Sequence, residues 1–322
     1  MKNNSSLIIV KKIAIYFFIL LIIISLVFFA INILIEPQIK KNIAVSSQIE
    51  SNLWKRYLYF LGNLFSFQTG RIFSSELNNV NLSIFGLYLS QFKWTILFTI
   101  LSFSIGFILG NVLGIWSAYK YNKSTDFIIN LTVAAISTIP LIVLAIVALG
   151  TSTFLGYPSQ FISNSKYLLI SLLVPAIISA FGSISLFHAR SRKITKNVMQ
   201  SNYFEFAISL GNSRWKLFKS QIFKNLVIGE LQAIVPFYLL LFSSSLVIER
   251  IFSIPGQSVF ISYAFSKGEV NLIMFYFTFS FFTLIIFKWI NQVILNILNP
   301  LQNIERRIKW FNRKWVKKHA IK

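Results

Sequence analysis

Long apolar runs constrain this chain more than any other feature of its sequence. The first run, Ile13–Ile35, contains no charged residue, and about 20 mostly apolar residues suffice for a helix to cross a bilayer. The run is too long for the apolar core of a signal peptide and has no small-residue cleavage site before Glu36, which favours a retained anchor helix. Only 12% of the residues are charged, against roughly 25% in soluble domains. The sequence therefore predicts an all-α integral membrane protein.

Five further apolar runs bring the expected number of membrane spans to six. They lie at Trp94–Tyr119, Phe127–Gly150, Tyr167–Phe187, Leu231–Ile248 and Val270–Phe287. We expect the fifth span to begin as early as Asn225 and the sixth to continue toward Asn299. With six spans, both termini lie on one side of the membrane, and that side receives 21 of the 31 Lys and Arg residues. The positive-inside rule predicts that this side is cytoplasmic.

The charge balance and the missing residue types exclude several function classes. The net charge of +22 is accounted for by membrane orientation, and no soluble basic domain is predicted that could hold nucleic acid. The chain has no cysteine and two widely separated histidines, His188 and His319, so neither a thiolate site nor a His-rich metal site is predicted. It also lacks a phosphate-binding G-x-x-x-x-G-K-[ST] loop. We expect no catalytic, cofactor or metal site in this chain, and no enzyme activity.

Polar residues within the spans raise two other function classes, and neither is favoured. A proton-coupled carrier needs charged groups near the middle of the membrane, but Glu230 and Lys288 both lie near span ends. An intramembrane protease needs a base beside its nucleophile. The serines at 243–245 lie near one end of the fifth span, whereas His188 lies at the opposite face of the membrane.

Small residues and prolines within the spans predict how the helices pack and bend. Gly106, Gly110 and Gly114 recur every four residues on the second span, so they share one helix face. We expect that face to allow close helix packing rather than to bind substrate. Pro140 and Pro236 lie inside the third and fifth spans, where proline favours a kink.

The cytoplasmic segment between the fourth and fifth spans predicts a helix, a tight turn and a second helix. Val198–Leu210 is expected to be a short helix, with Gly211 just past its end and Ser213 capping the helix that leads into the fifth span. The apolar stripe on the short helix consists of Tyr203, Phe206, Ala207 and Leu210. Such a segment either fits a groove in a soluble partner or lies on lipid headgroups.

The same segment resembles the cytoplasmic loop of ABC importer permeases, and most of all that of the dipeptide and oligopeptide permeases. The matching residues are Asn202, Tyr203, Ala207, Gly211, Lys224 and Asn225. The family tends to have aspartate where this chain has Asn202, and proline where it has Gly229. Glu205, two positions before the alanine, is the nearby carboxylate.

Other segments resemble that family in the same order along the chain. They are the glycine-spaced 106–119, the Ser-x-Pro region 135–147 and the "LNPL" segment at 298–301. A fourth is the external segment after the fifth span, whose matching residues are Glu249, Ile251, Phe252, Pro255 and Gly256. The resemblance covers nearly the whole chain.

The resemblance implies the transmembrane domain of a type I ABC importer, with six transmembrane helices and both termini cytoplasmic. Residues 1–89 would hold the first span and a long external loop, 90–301 the importer transmembrane domain, and 302–322 a basic cytoplasmic tail. The loop 200–222 would couple the chain to an ATPase. The implied coupling residues are Tyr203, Glu205, Ala207, Gly211 and Asn225. The implied external gate-side residues are Glu249, Phe252, Pro255 and Gly256.

The implied assembly lies in a bacterial plasma membrane. It contains a second homologous permease, two ABC ATPase subunits and an extracytoplasmic substrate-binding protein. ATP and Mg would be bound by the ATPase partners, and this chain would hold no cofactor. The implied substrates are oligopeptides or dipeptides. Nickel or another small solute stays open as the cargo, and a non-transporting membrane scaffold or receptor subunit is the alternative from another function class.

Overall fold

The computed structural model describes residues 3–74, 76 and 82–298, with side chains from residue 14 onward. Within those residues the regular structure is helical. The first helices are α1 (Asn3–Lys41), α2 (Ile43–Ser46), α3 (Leu53–Phe65), α4 (Ile84–Tyr119), α5 (Ser124–Thr138) and α6 (Leu141–Leu155). They are followed by α7 (Ser165–Met199), α8 (Asn202–Ser209), α9 (Arg214–Ile251), α10 (Gln257–Lys267) and α11 (Val270–Leu298). The predicted basic tail 302–322 lies outside the described residues.

Five of these helices are long and apolar enough to cross a membrane, and the pair α5–α6 brings the number to six when it counts as one bent span. The five are α4, α7, α9, α11 and the part of α1 from Ala14 to Lys41. The predicted all-α membrane architecture is confirmed.

The third predicted span is broken rather than continuous. The prediction was one helix over Phe127–Gly150, but α5 ends at Thr138 and α6 begins at Leu141, with axes 88° apart. Ile139, the residue before Pro140, has the extended backbone that proline imposes on its predecessor. In contrast, α9 continues through Pro236 without a break.

The spanning helices are longer than their apolar runs, and α4 and α7 extend beyond the predicted ends. α4 begins at Ile84 instead of Trp94, and α7 continues to Met199 instead of ending at Phe187. An apolar run marks the part of a helix that faces hydrocarbon, so it does not show where the helix itself ends. The extension of α7 carries four cations, Arg190, Arg192, Lys193 and Lys196, out of the apolar run on one continuous helix.

The described chain divides into two compact units. The first comprises the residues up to 100, together with 145–175 and 243–285. The second comprises 101–144, 176–242 and the residues from 286 onward. The short helix α8 and the helix ends around it belong to the second unit, and α1, α3 and α10 belong to the first.

In the second unit, α4 and α7 approach each other along the glycine stripe. A Cβ atom added to Gly106 would lie 2.6 Å from the Cβ of Ser183, and one added to Gly114 would lie 2.6 Å from the carbonyl oxygen of His188. At Gly110 it would lie 2.6 Å from the Cβ of Phe187. Real Cβ contacts are longer than this, so only glycine permits the observed separation of the two helices.

In the first unit, the region predicted as one long external loop contains a helix that packs on α1. The hydroxyl groups of Tyr57 on α3 and Ser25 on α1 lie 2.6 Å apart. The rings of Phe60 and Phe28 are stacked with centroids 5.1 Å apart. The chain after the first apolar run therefore returns to contact that run instead of remaining wholly in water.

Candidate functional site

The short helix α8 stands on a small apolar core in the second unit. It begins three residues after the end of α7, with Ser201 at its N-cap position in an extended conformation. Its inward side chains, Phe204 and Ala207, are buried. They pack with residues from the end of α7 and the start of α9, namely Val198, Leu217, Ile222 and Leu226. Because these groups share one core, α8 is fixed to both neighbouring helices.

The opposite side of α8 is apolar and exposed. Tyr203, Phe206 and Leu210 are 49%, 65% and 64% exposed. The predicted apolar stripe is thus divided, because its fourth member, Ala207, is buried. Glu205 also lies on the exposed side, in the first turn of α8, and no hydrogen bond or ion pair of its carboxylate is seen among the described residues. The structure therefore presents an aromatic and aliphatic surface with one carboxylate beside it.

The turn after α8 has the backbone that the sequence predicts. Gly211 has φ = +73°, a left-handed conformation that glycine adopts without steric strain. Its N–H donates to the carbonyl oxygen of Ile208 at 2.9 Å, and the Asn212 side-chain amide donates to the carbonyl oxygen of Ala207 at 2.9 Å. Ser213 accepts a hydrogen bond from the backbone N–H of Lys216, so it caps α9 as expected. A Cβ atom on Gly211 would meet nothing within 4 Å.

The start of α9 brings Asn225 back toward α8. The helix includes a π-helical stretch at Phe218–Phe223, and the Asn225 amide then donates to the carbonyl oxygen of Gln221 at 2.7 Å. A cleft of about 320 Å³ lies between α7, α8 and α9, and both Tyr203 and Asn225 line it. The other lining residues are Ile194, Asn197, Val198, Ser201, Ile228, Gly229 and Gln232. Of the five predicted coupling residues, the structure brings these two together.

In the second unit, an ion pair with a buried carboxylate joins α7 to the junction between α4 and α5. Arg192 donates through Nε to Oδ1 of Asp126 at 2.8 Å and through a terminal nitrogen to Oδ2 at 2.7 Å. Asp126 is 4% exposed and also accepts from the Asn130 amide at 2.7 Å and from the backbone N–H of Asn122 at 3.1 Å. The Ser117 hydroxyl, at the end of α4, donates to it as well. Two-point contact of this kind fixes both the distance and the orientation of the two groups.

A cation on the next turn of α7 extends this contact. The Lys196 ammonium donates to the Tyr121 hydroxyl at 2.6 Å and lies 3.8 Å from the ring centroid. The Arg192 guanidinium lies 5.2 Å from the same centroid. Tyr121 lies in the short connection between α4 and α5, so the connection is held to α7 by an ion pair and by cation–π contact.

Sequence reasoning did not identify this ion pair. Arg192 and Asp126 are 66 residues apart, and their pairing depends on how α4, α5 and α7 pack. One signal was present in the sequence, since Asp126 is the only acidic residue between Glu76 and Glu205. An isolated carboxylate at the start of an apolar span requires a partner, because burying an unpaired charge is costly.

The predicted external gate-side residues lie together in the first unit. The buried Glu249 carboxylate accepts from the backbone N–H of Ser258 at 2.9 Å, while the N–H of Gln257 donates to the Thr95 hydroxyl at 2.9 Å. A Cβ atom added to Gly256 would lie 2.5 Å from the Glu249 carboxyl carbon. The atoms that this Cβ would meet lie near the ends of the Glu249 and Thr95 side chains, so a larger residue at position 256 would displace the carboxylate.

The remaining two residues of the external segment lie on either side of a tight bend. Phe252 is fully buried, and its carbonyl oxygen accepts from the N–H of Phe161 at 2.9 Å. Ser253, between Phe252 and Pro255, has φ = +54°. The structure thus gives Glu249, Phe252 and Gly256 packing roles within one turn, and Pro255 is half-buried beside them.

The charged residues inside the spans differ in their surroundings. Glu230 on α9 is 7% exposed. On the preceding residue, the Gly229 carbonyl oxygen accepts from Arg190 at 2.6 Å. Lys288 on α11 is exposed.

Comparison with known proteins identifies the family. The family described as the binding-protein-dependent transport system inner membrane component matches residues 110–309. The oligopeptide transport system permease protein OppB of Mycoplasma genitalium is 26% identical over 268 residues, 78% of this chain. The match covers 65% of that relative, so this chain spans less than two thirds of its length.

Two further relatives match over similar shares of the chain. OppB of Mycoplasma pneumoniae is 27% identical over 78% of this chain and 68% of its own length. The dipeptide transport system permease protein DppB of Bacillus subtilis is 22% identical over 84% of this chain and 85% of its own length. Among solved structures, a chain of an amino acid ABC transporter with histidines aligns with a TM-score of 0.46 at 16% identity, covering 65% of this chain and 93% of that one.

The family match covers more than half of the chain. It includes Gly110 and Gly114 of the glycine stripe, the Asp126–Arg192 ion pair, α8 and the turn at Gly211. Together with the apolar helices it makes the protein a multi-pass component of a cell membrane. The chain belongs to the family of binding-protein-dependent transport system inner membrane components.

Proposed function

We propose that this chain is a permease subunit of an ATP-driven peptide importer, and that α8 is its contact with the ATPase. The observation that carries the proposal is the exposed apolar side of α8, formed by Tyr203, Phe206 and Leu210 above a packed base. An amphipathic helix with such a side suits a groove in a protein partner. Glu205 at its edge adds a carboxylate that can accept hydrogen bonds from that partner.

The distance of α8 from the apolar run favours a soluble partner over lipid headgroups. The apolar run of α7 ends at Phe187, and the helix then continues to Met199. Twelve residues of helix at about 1.5 Å each correspond to roughly 18 Å. The extension of α7 therefore carries α8 well beyond the end of the hydrocarbon-facing segment.

The ion pair supplies a route by which movement of α8 reaches the membrane helices. Arg192 lies seven residues before the end of α7 on an unbroken helix, and it is bound at two points to Asp126. The glycine stripe fixes α7 to α4 over the same stretch. When the ATPase closes on ATP and displaces α8, α7 moves with it and takes along the α4–α5 junction, so that access to the pore changes as a rigid-body transition.

We infer the partners from the family, and the side of the membrane on which the termini lie from the charge distribution. We infer a second homologous permease, two ABC ATPase subunits that bind ATP and Mg, and an extracytoplasmic binding protein that delivers the substrate. Oligopeptides or dipeptides are the inferred cargo, because the relatives are named as oligopeptide and dipeptide permeases. Both termini are assigned to the cytoplasm, where the positive-inside rule puts the more basic side.

Two substitutions at Gly211 test the coupling assignment. The site is open, with nothing within 4 Å of an added Cβ, so only the backbone conformation distinguishes one variant from another. Asparagine tolerates the left-handed region, whereas β-branched valine does not. We expect Gly211→Asn to keep wild-type peptide uptake per ATP hydrolysed, and Gly211→Val to reduce uptake at least tenfold while still inserting into the membrane.

Uptake and ATP hydrolysis would be measured in vesicles containing the purified complex, with the bound proteins identified by mass spectrometry. Equal transport by the valine and asparagine variants would refute the role given to this turn. Recovery of no ATPase with the wild type, under conditions where a known ABC complex stays intact, would refute the importer assignment itself and support a scaffold subunit.

A further inference from the structure

The helix α3, in the connection between α1 and α4, presents an apolar face whose side chains are more than half exposed. Trp54, Leu58 and Phe65 recur along one side of the helix, and they are 66%, 65% and 55% exposed. Tyr59 is also exposed, and Phe67 just beyond the helix is 96% exposed. With 13 residues, α3 is too short to cross a bilayer.

The position of α3 on α1 sets its depth relative to the membrane. Tyr57 reaches the hydroxyl of Ser25, which is ten residues from the end of the apolar run at Ile35. At about 1.5 Å per residue this is roughly 15 Å, which is half of a hydrocarbon core of about 30 Å. The rings of Phe28 and Phe29 contact α3 between Ser25 and the end of the run. A helix fixed at these residues lies beside hydrocarbon and not in bulk water.

The one buried charge of α3 is neutralised on the side that faces α1. Arg56 is 7% exposed. It donates to Oδ1 of Asn32 at 3.0 Å and to the carbonyl oxygen of Glu50 at 2.9 Å, and it lies 3.4 Å from a carboxylate oxygen of Glu36. Lys55, the other cation of α3, lies in the first turn of the helix, near Glu50. The rest of the helix can therefore enter an apolar phase without carrying an unpaired charge into it.

The exposed face of α3 also continues the lipid-facing surface of α1. Ile22, Leu26 and Leu34 on α1 are exposed on a helix that spans the membrane. We propose that α3 is a membrane-embedded helix, with Trp54, Leu58 and Phe65 in contact with lipid beside the stretch of α1 between Phe29 and Phe17.

The absence of cysteine from the whole sequence makes this proposal easy to test with single-cysteine variants. Leu58→Cys and Phe65→Cys place a nitroxide label on the proposed lipid face. Leu34→Cys on α1 is the lipid reference, and Ser47→Cys, an exposed residue between α2 and α3, is the water reference. The labelled chain would be purified with its partner subunits and reconstituted in phosphatidylcholine–phosphatidylglycerol vesicles.

The measurement is the collision rate of each label with oxygen, which partitions into lipid, and with a water-soluble nickel chelate. We expect labels at 58 and 65 to collide more with oxygen than with the chelate, as at Leu34, and the Ser47 label to do the reverse. Chelate collisions at 58 and 65 equal to those at Ser47 would place α3 in water and overturn the proposal. Immobile labels that neither reagent reaches would show that a partner subunit covers the face, which would overturn it as well.

Discussion

Alanine in place of Gly110 tests whether the separation of α4 and α7 is set by the missing side chain. A Cβ atom there would lie 2.6 Å from the Cβ of Phe187 and 2.8 Å from the carbonyl oxygen of Ile184. Neither atom is at the free end of a flexible side chain, so neither can move aside unless the backbone of α7 moves. The helices must separate or shift to admit the methyl group.

The size of the effect follows from two opposing contributions. Forcing an extra methyl group into a packed site lowers stability by about 1–3 kcal/mol. Alanine stabilises a helix interior over glycine by about 0.5–1 kcal/mol. We expect the free energy of unfolding of Gly110→Ala to fall by about 1–2 kcal/mol, because the packing contribution is the larger.

Gly150→Ala is the matched control, since Gly150 lies inside α6 and an added Cβ would meet nothing within 4 Å. This variant should be stabilised by about 0.5–1 kcal/mol from helix propensity alone. Both free energies would be measured by reversible SDS unfolding in mixed micelles. Wild-type stability of Gly110→Ala, or an equal loss in Gly150→Ala, would refute the argument from close packing.

Two further predictions concern the ionisable groups. Asp126→Leu should lower the free energy of unfolding by about 1–3 kcal/mol, because it removes the carboxylate that pairs with the partly buried Arg192. Adding Arg192→Met should restore part of that loss, and a double-mutant cycle in which the two effects simply add would contradict the coupling. Glu269, which accepts from the N–H groups of Phe73 and Ser74, has its pKa raised by burial above the ordinary 4.5, although those two hydrogen bonds act in the opposite direction. The folded state binds this proton more tightly than the unfolded state does. The free energy of unfolding therefore falls as the pH rises from about 4.5 to the raised pKa of Glu269, and above that pKa Glu269 causes no further fall. Thermal midpoints of the wild type and Glu269→Gln across pH 4–8 should show this fall in the wild type and a smaller one in the variant, and parallel curves would count against it.

Features that depend on local sequence were predictable. The apolar runs locate the spans because a helix in hydrocarbon must be apolar over its whole lipid-facing length. The left-handed turn at Gly211 and the cap at Ser213 were predicted from residue type, since each depends on neighbours within four positions. The bend at Pro140 was predicted as a kink, but its size of 88° was not, because proline removes a hydrogen bond without fixing the direction of the following helix.

Features that depend on packing between distant segments were missed. The exposed side of α8 includes Phe206, while Phe204, which was not assigned to the apolar stripe, is buried. Both are phenylalanine, so the choice depends on where α7 and α9 lie and not on residue type. The Asp126–Arg192 pair and the contact of α3 with α1 likewise require knowledge of which helices are neighbours. The role of α8 toward an ATPase stays a prediction.

The glycine stripe has a consequence for how the sequence can drift among relatives. Gly110 meets the backbone of α7 at Ile184 and at His188, together with a Cβ that every residue except glycine has at position 187. The contact therefore restricts position 110 to a single residue type while placing little demand on the identity of the residues opposite it. Substitution should be one-sided at this crossing, with an invariant position on α4 facing variable positions on α7.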